Sequence, residues 1–283
     1  MDQRIVGWKI WFIVFFAIGI LSIEIPAYTG EPTPISQPKF GKEKVFNYRA
    51  TKFGIPVLRA TIKILEEWSS EKSKPVFKVQ AIFQSNPSLE VLFRMNNRFT
   101  STLEAGTYTP VTSVKEIDQG GILIKDKNYR QTLTFDLLRQ KVVVENKEKK
   151  EKQEIPLPPN TYDPLAMFAR FYLKEVFLPG QDIPMSIFDG LRLRQIVFHS
   201  KKEKVQSKMY GEVEAVRLDS KTFFSTFGDQ EGAIHIWYTA DGRKIPILIE
   251  TDLPVGLIRF ELESIDSFTD FILDKDLGSH RTR

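Results

Sequence analysis

The sequence predicts a mainly β protein: one large, curled antiparallel sheet, a barrel or half-barrel, with one central α-helix. From Lys42 to Glu263, apolar and polar residues alternate in short segments, which is the period of half-buried strands. Only one segment after the N-terminus, Asn160–Gly180, has the period of a helix. About eleven to thirteen strands are too many for a flat sheet, so we expect the sheet to curl around the helix.

Single segments carry this alternation clearly. Leu58–Ile64 places four apolar residues against Arg59, Thr61 and Lys63. Further strands are predicted over Val91–Phe99 and, after the Gly120-Gly121 turn, over Ile122–Lys125. The mixed Lys/Glu run Asn146–Gln153 is predicted to be a solvated loop or hairpin tip.

The helix has start and stop signals of its own. Asp163 is a suitable N-cap, because its carboxylate can accept hydrogen bonds from the free N–H groups of the first turn. Pro164 follows at the first helical position, and Pro179-Gly180 is expected to end the helix. A helix so apolar is expected to pack on the sheet or to present part of its surface to a ligand cavity. Its apolar face is predicted to contain Leu165, Phe168, Tyr172 and Val176.

The N-terminus predicts export. Arg4 and Lys9 precede the apolar run Ile10–Ile23, and the small residue Ala27 follows at a plausible cleavage point. The alternative is a retained inner-membrane anchor formed by residues 5–25. Both interpretations place the folded part in the periplasm. The predicted organisation is a signal peptide or membrane anchor (1–27), a Pro-rich tether (28–41), a single β-rich domain (42–266) and a C-terminal tail (267–283).

Composition excludes several classes of site. The formal net charge is +4, with Lys and Arg scattered along the 283 residues, which argues against a nucleic-acid partner. The absence of cysteine excludes disulfides, thiol nucleophiles and cysteine-ligated metals. His199, His235 and His280 lack the spacing of metal ligands. We therefore predict no cofactor, no metal and no catalytic residue.

Several motifs along residues 40–265 resemble a bacterial envelope family known only as a domain of unknown function, number 3108. The resemblance implies an exported, β-rich protein without established enzymatic activity, and it brings no catalytic residues. A looser similarity, in architecture alone, is to the periplasmic lipoprotein carriers, which are half-barrels with a helical lid over an apolar cavity. The matching motifs are Phe53-Gly54-Ile55-Pro56-Val57, Arg98-Phe99, Tyr162-Asp163-Pro164-Leu165, Leu178-Pro179-Gly180, Phe188-Asp189-Gly190, Trp237-Tyr238, Arg243-Lys244-Ile245-Pro246 and Leu253-Pro254-Val255-Gly256.

The first functional hypothesis is a non-enzymatic envelope protein that binds an apolar or amphipathic ligand, such as a lipid or a lipidated chain, in its concave face. Contact with a membrane is then expected only through the N-terminal segment. The aromatic residues predicted to line the ligand site are Tyr162, Phe168, Phe171, Tyr172 and Trp237.

Two other functions remain open. One is a structural or scaffolding component of an envelope protein assembly, held by the N-terminal segment. The other is a polysaccharide hydrolase that uses a pair of carboxylates. Asp163, Asp189 and Asp241 are the conspicuous carboxylates, but a helix cap and two turns already account for them. The sequence therefore favours a protein that is not an enzyme.

Overall fold

Fifteen strands and one α-helix form the part of the chain that the computed structural model describes, residues 42–69, 74–123, 126–224, 230–254 and 256–269. A short 3₁₀ helix spans Pro87–Leu89. The other elements are β1 (Lys42–Lys52), β2 (Ile55–Ser69), β3 (Lys74–Ser85), β4 (Arg94–Glu104), β5 (Pro110–Gly120), β6 (Lys127–Asp136), β7 (Lys141–Asn146), β8 (Glu151–Pro156), β9 (Thr161–Tyr162), α1 (Pro164–Leu173), β10 (Asp182–Phe188), β11 (Leu193–Ser207), β12 (Gly211–Phe224), β13 (Gln230–Thr239), β14 (Pro246–Leu253) and β15 (Gly256–Thr269).

All fifteen strands belong to one sheet, in the order β8-β7-β6-β5-β4-β3-β2-β1-β15-β14-β13-β12-β11-β10-β9. Neighbours are antiparallel except β9 and β10, which are parallel. Because β1 pairs with β15, the two ends of the described chain meet in the middle of the sheet. We call the upper end the one with the β1–β2, β3–β4, β5–β6, β7–β8, β10–β11 and β14–β15 turns, and the lower end the opposite one.

The sheet curls around α1, as the sequence predicts. The helix contacts β3 and β4 in one half of the sheet and β9 and β10 at its far edge. Phe171 on the helix is fully buried and packs edge-on against Phe198 of β11, with ring centres 5.0 Å apart. Strands so distant in the sheet order can meet one helix only if the sheet wraps around it. The mainly β fold with one central helix is thus confirmed.

The helix ends earlier than the sequence predicts. Its last residue is Leu173, whereas the stop signal Pro179-Gly180 suggested a longer helix. Beyond it, Phe177 packs against Phe171 and against Tyr238 of β13, and Val176 is 73 % exposed. The placement of Val176 on the buried face was therefore wrong. Tertiary contacts of Phe177 outweigh the local helical pattern at this point.

Three strand boundaries also differ from the prediction. The strand expected over Val91–Phe99 begins only at Arg94, and Ile122 lies in a bend rather than in a strand. The charged run Asn146–Gln153, expected to be a solvated loop or hairpin tip, forms the exposed tip of the β7–β8 hairpin, but its last three residues belong to β8, which starts at Glu151. Alternation predicts which residues share a face, but it does not show where the ladder hydrogen bonds stop.

The described sheet is not closed by hydrogen bonds between its edge strands, β8 and β9. Side chains bridge the gap instead: Phe188 of β10 packs with Leu133 and Leu157 in a small buried cluster. Gln131 of β6 also donates a hydrogen bond to the backbone carbonyl of Gly190. The architecture is therefore a half-barrel whose two edges are held together by side chains.

Within the described residues, no helix has the length and hydropathy needed to cross a bilayer. The segment predicted to be a signal peptide or anchor, the Pro-rich tether and His280 lie outside the described residues. β15 extends to Thr269, three residues into the predicted C-terminal tail, and the rest of that tail is also outside them.

Candidate functional site

A cleft of about 450 Å³ opens between helix α1 and strand β10, next to the edge strand β9. One wall comes from α1 and the segment that leads into it, and the other comes from β10 with one residue of β11. This volume falls in the range of about 300–1,000 Å³ that is usual for sites of small ligands. The lining residues are Pro159, Asn160, Tyr162, Arg170, Lys174, Ile183, Pro184, Met185, Ser186 and Gln195.

The N-cap of α1 sets the position of the helical wall. Asp163 adopts an extended backbone, and its Oδ1 accepts hydrogen bonds from the N–H groups of Leu165 and Ala166 at 2.9 and 3.1 Å. Its Oδ2 accepts a bond of 2.6 Å from the hydroxyl of Ser101 on β4. The first turn of the helix is thus fixed to the sheet, which fixes the residues one and two turns further along.

Arg170 is the central cation of the helical wall. Its Nε lies 2.5 Å from Oε1 of Glu175, and its Nη1 donates a hydrogen bond to the hydroxyl of Tyr162. The guanidinium carbon is also 4.9 Å from the centre of the Tyr162 ring. Arg170 is therefore held in one orientation by two partners, and the exposed Lys174 adds a second positive charge one turn later.

The strand wall is mixed in polarity. Ile183 and Met185 line the cleft while also packing with the main hydrophobic core, where Met185 is 5 % exposed. The Ser186 hydroxyl and the Gln195 amide bond each other across β10 and β11. Strand β9 pairs only with Ser186 and Ile187, so the preceding part of β10 is a free edge. Pro184 has no N–H at that edge, which disfavours the addition of another strand. A compact ligand suits this wall better than an extended peptide.

Burial and neighbouring charges shift the pKa values of two groups at or near the helical wall of the cleft. Burial raises the pKa of the Tyr162 hydroxyl, and Arg170 acts in the opposite direction. Lys244 donates a hydrogen bond of 2.7 Å to the backbone carbonyl of Glu175, and burial lowers the pKa of this lysine. The Glu175 carboxylate balances the charge of Arg170, so the exposed Lys174 supplies the net positive charge of this wall. This side of the cleft therefore favours an anion or a hydrogen-bond acceptor.

Of the residues predicted to line a ligand site, Tyr162 borders the cleft. Phe168 and Phe171 instead pack in the main hydrophobic core, 5 % and 0 % exposed. Phe168 lies 6.5 Å from Tyr238, between ring centres, and Phe171 meets Phe198. The concave face next to α1 is therefore filled by protein side chains where these two residues lie.

Tyr172 and Trp237 are also away from the cleft. Tyr172 packs edge-on against Phe46 and accepts a hydrogen bond of 2.9 Å from Lys44. Trp237 donates from its indole N–H to Glu203, on the face of β13 opposite to that of Tyr238. The structure brings only Tyr162 of the five aromatic residues to the cleft.

Arg170 and Lys174 were not among the residues predicted to line a ligand site. The β10 residues of the cleft gave no signal, because Ile183 and Met185 fit an ordinary strand. Their proximity to Arg170 depends on the curl of the sheet, which local patterns do not specify. The signal that was available is the pair of cations, one turn apart, on a helix that is otherwise apolar.

The carboxylates considered for hydrolysis have structural partners. Asp189 accepts two backbone hydrogen bonds within its turn, from Leu191 and Arg192. Asp241 bonds the backbone and guanidinium of Arg243, and this side-chain bond lowers the pKa of the carboxyl. Burial, in contrast, raises the pKa of Asp163. All three serve as caps or turn residues.

The described histidines each lie beside one carboxylate. His199 is 2.6 Å from Asp182 on the surface, and His235 contacts Asp219. Across the described ranges, no group of three or more His, Asp or Glu residues is arranged to hold a metal ion. The described cleft itself presents cations, amide groups and apolar residues.

Comparison with known proteins places the chain in a family. Residues 46–263 match the family described as "Protein of unknown function (DUF3108)". Among solved structures, the chain is similar to a β-barrel-like protein of domain of unknown function DUF1849 from Brucella abortus, with 12 % identity and a TM-score of 0.49 over 81 % of this chain and 98 % of that one. No curated protein matches. Since the match covers more than half of the sequence, the chain belongs to the DUF3108 family of proteins of unknown function.

Proposed function

We propose that this protein is a non-enzymatic component of the cell envelope that binds an amphipathic ligand, such as a lipid or a lipidated chain, in the cleft between α1 and β10. The observation that carries the proposal is the pairing of two unlike walls in one cleft. Arg170 and Lys174 lie on one side, and Ile183 and Met185 lie on the other. A molecule with an anionic head and a short apolar part satisfies both walls.

The rigid placement of Arg170 supports this proposal. A guanidinium held by Tyr162 and Glu175 loses little side-chain entropy when a ligand binds. Its remaining donors can bond a phosphate or carboxylate oxygen. Asn160 and Gln195 add amide groups at the rim, which can bond the polar part of a head group.

The proposed location is the periplasm. It follows from the N-terminal sequence, in which a basic start precedes an apolar run. An exported chain without cysteine has no disulfides, so its stability depends on the core that surrounds α1. An amphipathic ligand is available in that compartment from either membrane.

Binding of dodecyl phosphate, below its critical micelle concentration, tests the proposal by isothermal titration calorimetry. The full chain is expected to bind one equivalent. Lys174→Glu should weaken this binding roughly tenfold, the equivalent of about 1.4 kcal/mol, since it inverts an exposed charge at the cleft. The matched control is Lys221→Glu, which inverts an 86 % exposed lysine on β12 and should leave the affinity unchanged.

Dodecyl maltoside, a neutral amphiphile with the same alkyl chain, distinguishes the contribution of the cationic wall to the affinity from that of the apolar wall. Its affinity should not respond to Lys174→Glu, because only its apolar part contacts the strand wall. An absence of saturable binding of dodecyl phosphate would refute the proposal. Equal losses in Lys174→Glu and Lys221→Glu would also refute it, since the anion would then be attracted by net charge rather than by the cleft.

A further inference from the structure

Large apolar side chains are exposed on four neighbouring turns of the upper end. We call this set the apolar ridge. Exposed apolar residues are ordinary when they occur singly, but a continuous row of them indicates an interaction surface. The ridge comprises Phe53 (86 % exposed), Ile55 (59 %), Val91 (77 %), Leu92 (44 %), Ile122 (74 %), Leu123 (71 %) and Leu257 (43 %).

Backbone hydrogen bonds join the β3–β4 and β5–β6 turns of the ridge. The N–H of Leu123 donates to the carbonyl of Leu92 at 2.9 Å, and the N–H of Ile122 donates to the carbonyl of Val91 at 3.4 Å. Gly121 allows this approach, since a Cβ there would lie 2.7 Å from the Leu92 carbonyl oxygen. The four apolar side chains are thus held side by side by the backbone of the turns.

The other two turns lie next to these. The N–H of Asn86 donates to the carbonyl of Val57 at 2.9 Å, which ties the β3–β4 connection to the start of β2. At the β14–β15 turn, a Cβ built on Gly256 would lie 3.7 Å from the ring of Phe53. The ridge residues therefore lie on neighbouring turns, from Leu257 beside Phe53 to the β5–β6 turn.

A basic turn continues the row beyond the apolar ridge. The β7–β8 turn is next in the sheet order, and it exposes Lys147, Lys149 and Lys150. Its one acidic residue, Glu148, accepts a hydrogen bond of 2.8 Å from the backbone N–H of Arg130. The turn therefore presents positive charge beside the apolar side chains.

The lower end does not repeat this arrangement. In the described connections of the lower end, Leu138 (99 %) and Met209 (40 %) are exposed on two separate turns. Val176 (73 %) and Leu178 (62 %) are exposed in the segment between α1 and β10, where Lys244 of the β13–β14 turn donates a hydrogen bond to the carbonyl of Glu175. The ridge differs in that its residues lie on four turns that are consecutive in the sheet order.

We propose that the apolar ridge and the basic β7–β8 turn dock the upper end on an anionic lipid surface. The apolar side chains project from turns rather than forming a groove, so they can enter the boundary between head groups and acyl chains individually. Lys147, Lys149 and Lys150 then contact lipid phosphates. This surface is a second membrane contact, separate from the N-terminal segment that the sequence predicts and from the cleft beside α1.

Single labels distinguish this docking from binding through the N-terminus. The full chain has no cysteine, so Val91→Cys carries a unique thiol for an environment-sensitive dye. Leu138→Cys, at the lower end, is the matched control, because it replaces a fully exposed apolar residue outside the ridge. Both variants are mixed with vesicles of phosphatidylglycerol and phosphatidylethanolamine. We expect blue-shifted emission and protection from an aqueous quencher for Val91→Cys and no change for Leu138→Cys.

The second part of the experiment tests whether the lysines of the β7–β8 turn are needed for docking. Combined Lys147→Glu, Lys149→Glu and Lys150→Glu substitutions should abolish the blue shift of the Val91→Cys label on anionic vesicles. An unchanged, water-like emission of that label on protein that co-sediments with vesicles would overturn the proposal. A blue shift without vesicles that grows with protein concentration would also overturn it, since the ridge would then bind a second copy of the chain.

Discussion

Ser101 on β4 donates a hydrogen bond of 2.6 Å to Asp163, and the same carboxylate caps helix α1. Both residues are buried, with at most 1 % of either exposed. The helix is therefore joined to the sheet at its first residue by a polar contact and along its length by apolar ones. This contact positions Arg170 at the cleft, two turns further along the helix.

Protonation of Asp163 gives the first prediction. Burial raises its pKa, although bonds from Ser101 and two backbone N–H groups oppose the effect. The native state then holds a proton at pH values where the unfolded chain has lost it. The contribution of this carboxyl to the free energy of unfolding is full below the unfolded pKa of about 3.9, and it is lost as the pH rises toward the raised native pKa.

Urea unfolding of the wild type and Asp163→Asn across acidic pH measures this effect. The free energy of unfolding of the wild type, relative to the variant, should increase as the pH falls. Asp241→Asn is the control of opposite sign, since the pKa of Asp241 is lowered and its contribution is lost on acidification. A difference between wild type and Asp163→Asn that does not vary with pH would contradict the prediction.

Phe171 and Val176 test where the helix ends. Phe171→Ala removes a fully buried ring that contacts Phe198 and Phe177, and it should cost about 3–5 kcal/mol of unfolding free energy. Val176→Ala removes a side chain that is 73 % exposed and should change stability by no more than about 0.5 kcal/mol. Chemical denaturation measures both. A large loss in Val176→Ala would mean that the helical pattern continues beyond Leu173.

Two buried tyrosines provide a matched pair. Tyr48 donates a hydrogen bond of 2.8 Å to the carbonyl of Pro246, whereas the hydroxyl of Tyr238 has no hydrogen-bond partner among the described residues. Tyr48→Phe should therefore cost about 1 kcal/mol, and Tyr238→Phe should be neutral or stabilising. Thermal unfolding of the two variants checks this order. Equal destabilisation would show that the Tyr238 hydroxyl is bonded after all.

Glycines with positive φ form another pair. Gly54 and Gly190 have φ of +78° and +86°, so alanine at either costs about 1 kcal/mol in backbone strain. A Cβ at Gly54 meets nothing within 4 Å, but at Gly190 it would lie 2.6 Å from Oε1 of Gln131 and 3.1 Å from Nζ of Lys115. Gly190→Ala should therefore lose roughly 1 kcal/mol more than Gly54→Ala in chemical denaturation. A smaller loss in Gly190→Ala would argue against the contact that holds the β10–β11 turn to β6.

Prediction from sequence succeeded where the signal is local. Alternation along Leu58–Ile64 places Leu58, Ala60, Ile62 and Ile64 in the core, and all four are buried. The cap formed by Asp163 and Pro164 is at the predicted place. Prediction failed for Val91 and Ile122, whose apolar side chains suggested strands but are exposed in turns. An apolar residue on an exposed turn has the same local signature as one in a buried strand.

The cleft was not predictable in the same way. Arg170 and Ile183 are close only because α1 lies inside a sheet whose two edges approach each other. The apolar ridge likewise contains turns that are far apart in the chain, such as the β1–β2 turn with Phe53 and the β14–β15 turn beside Leu257. Contacts of this kind depend on strand register and on the curl of the whole sheet, which no short segment encodes.

The sequence by itself determined the class of fold, the family and the start of helix α1, because period, capping and motifs act over a few neighbouring residues. Tertiary structure decided that the helix ends at Leu173, that Phe168 and Phe171 fill the concave face, and that Arg170 faces β10 across a cleft. The physical reason is that burial and ion pairing depend on which strands the curled sheet brings against the helix, and those strands are distant in sequence.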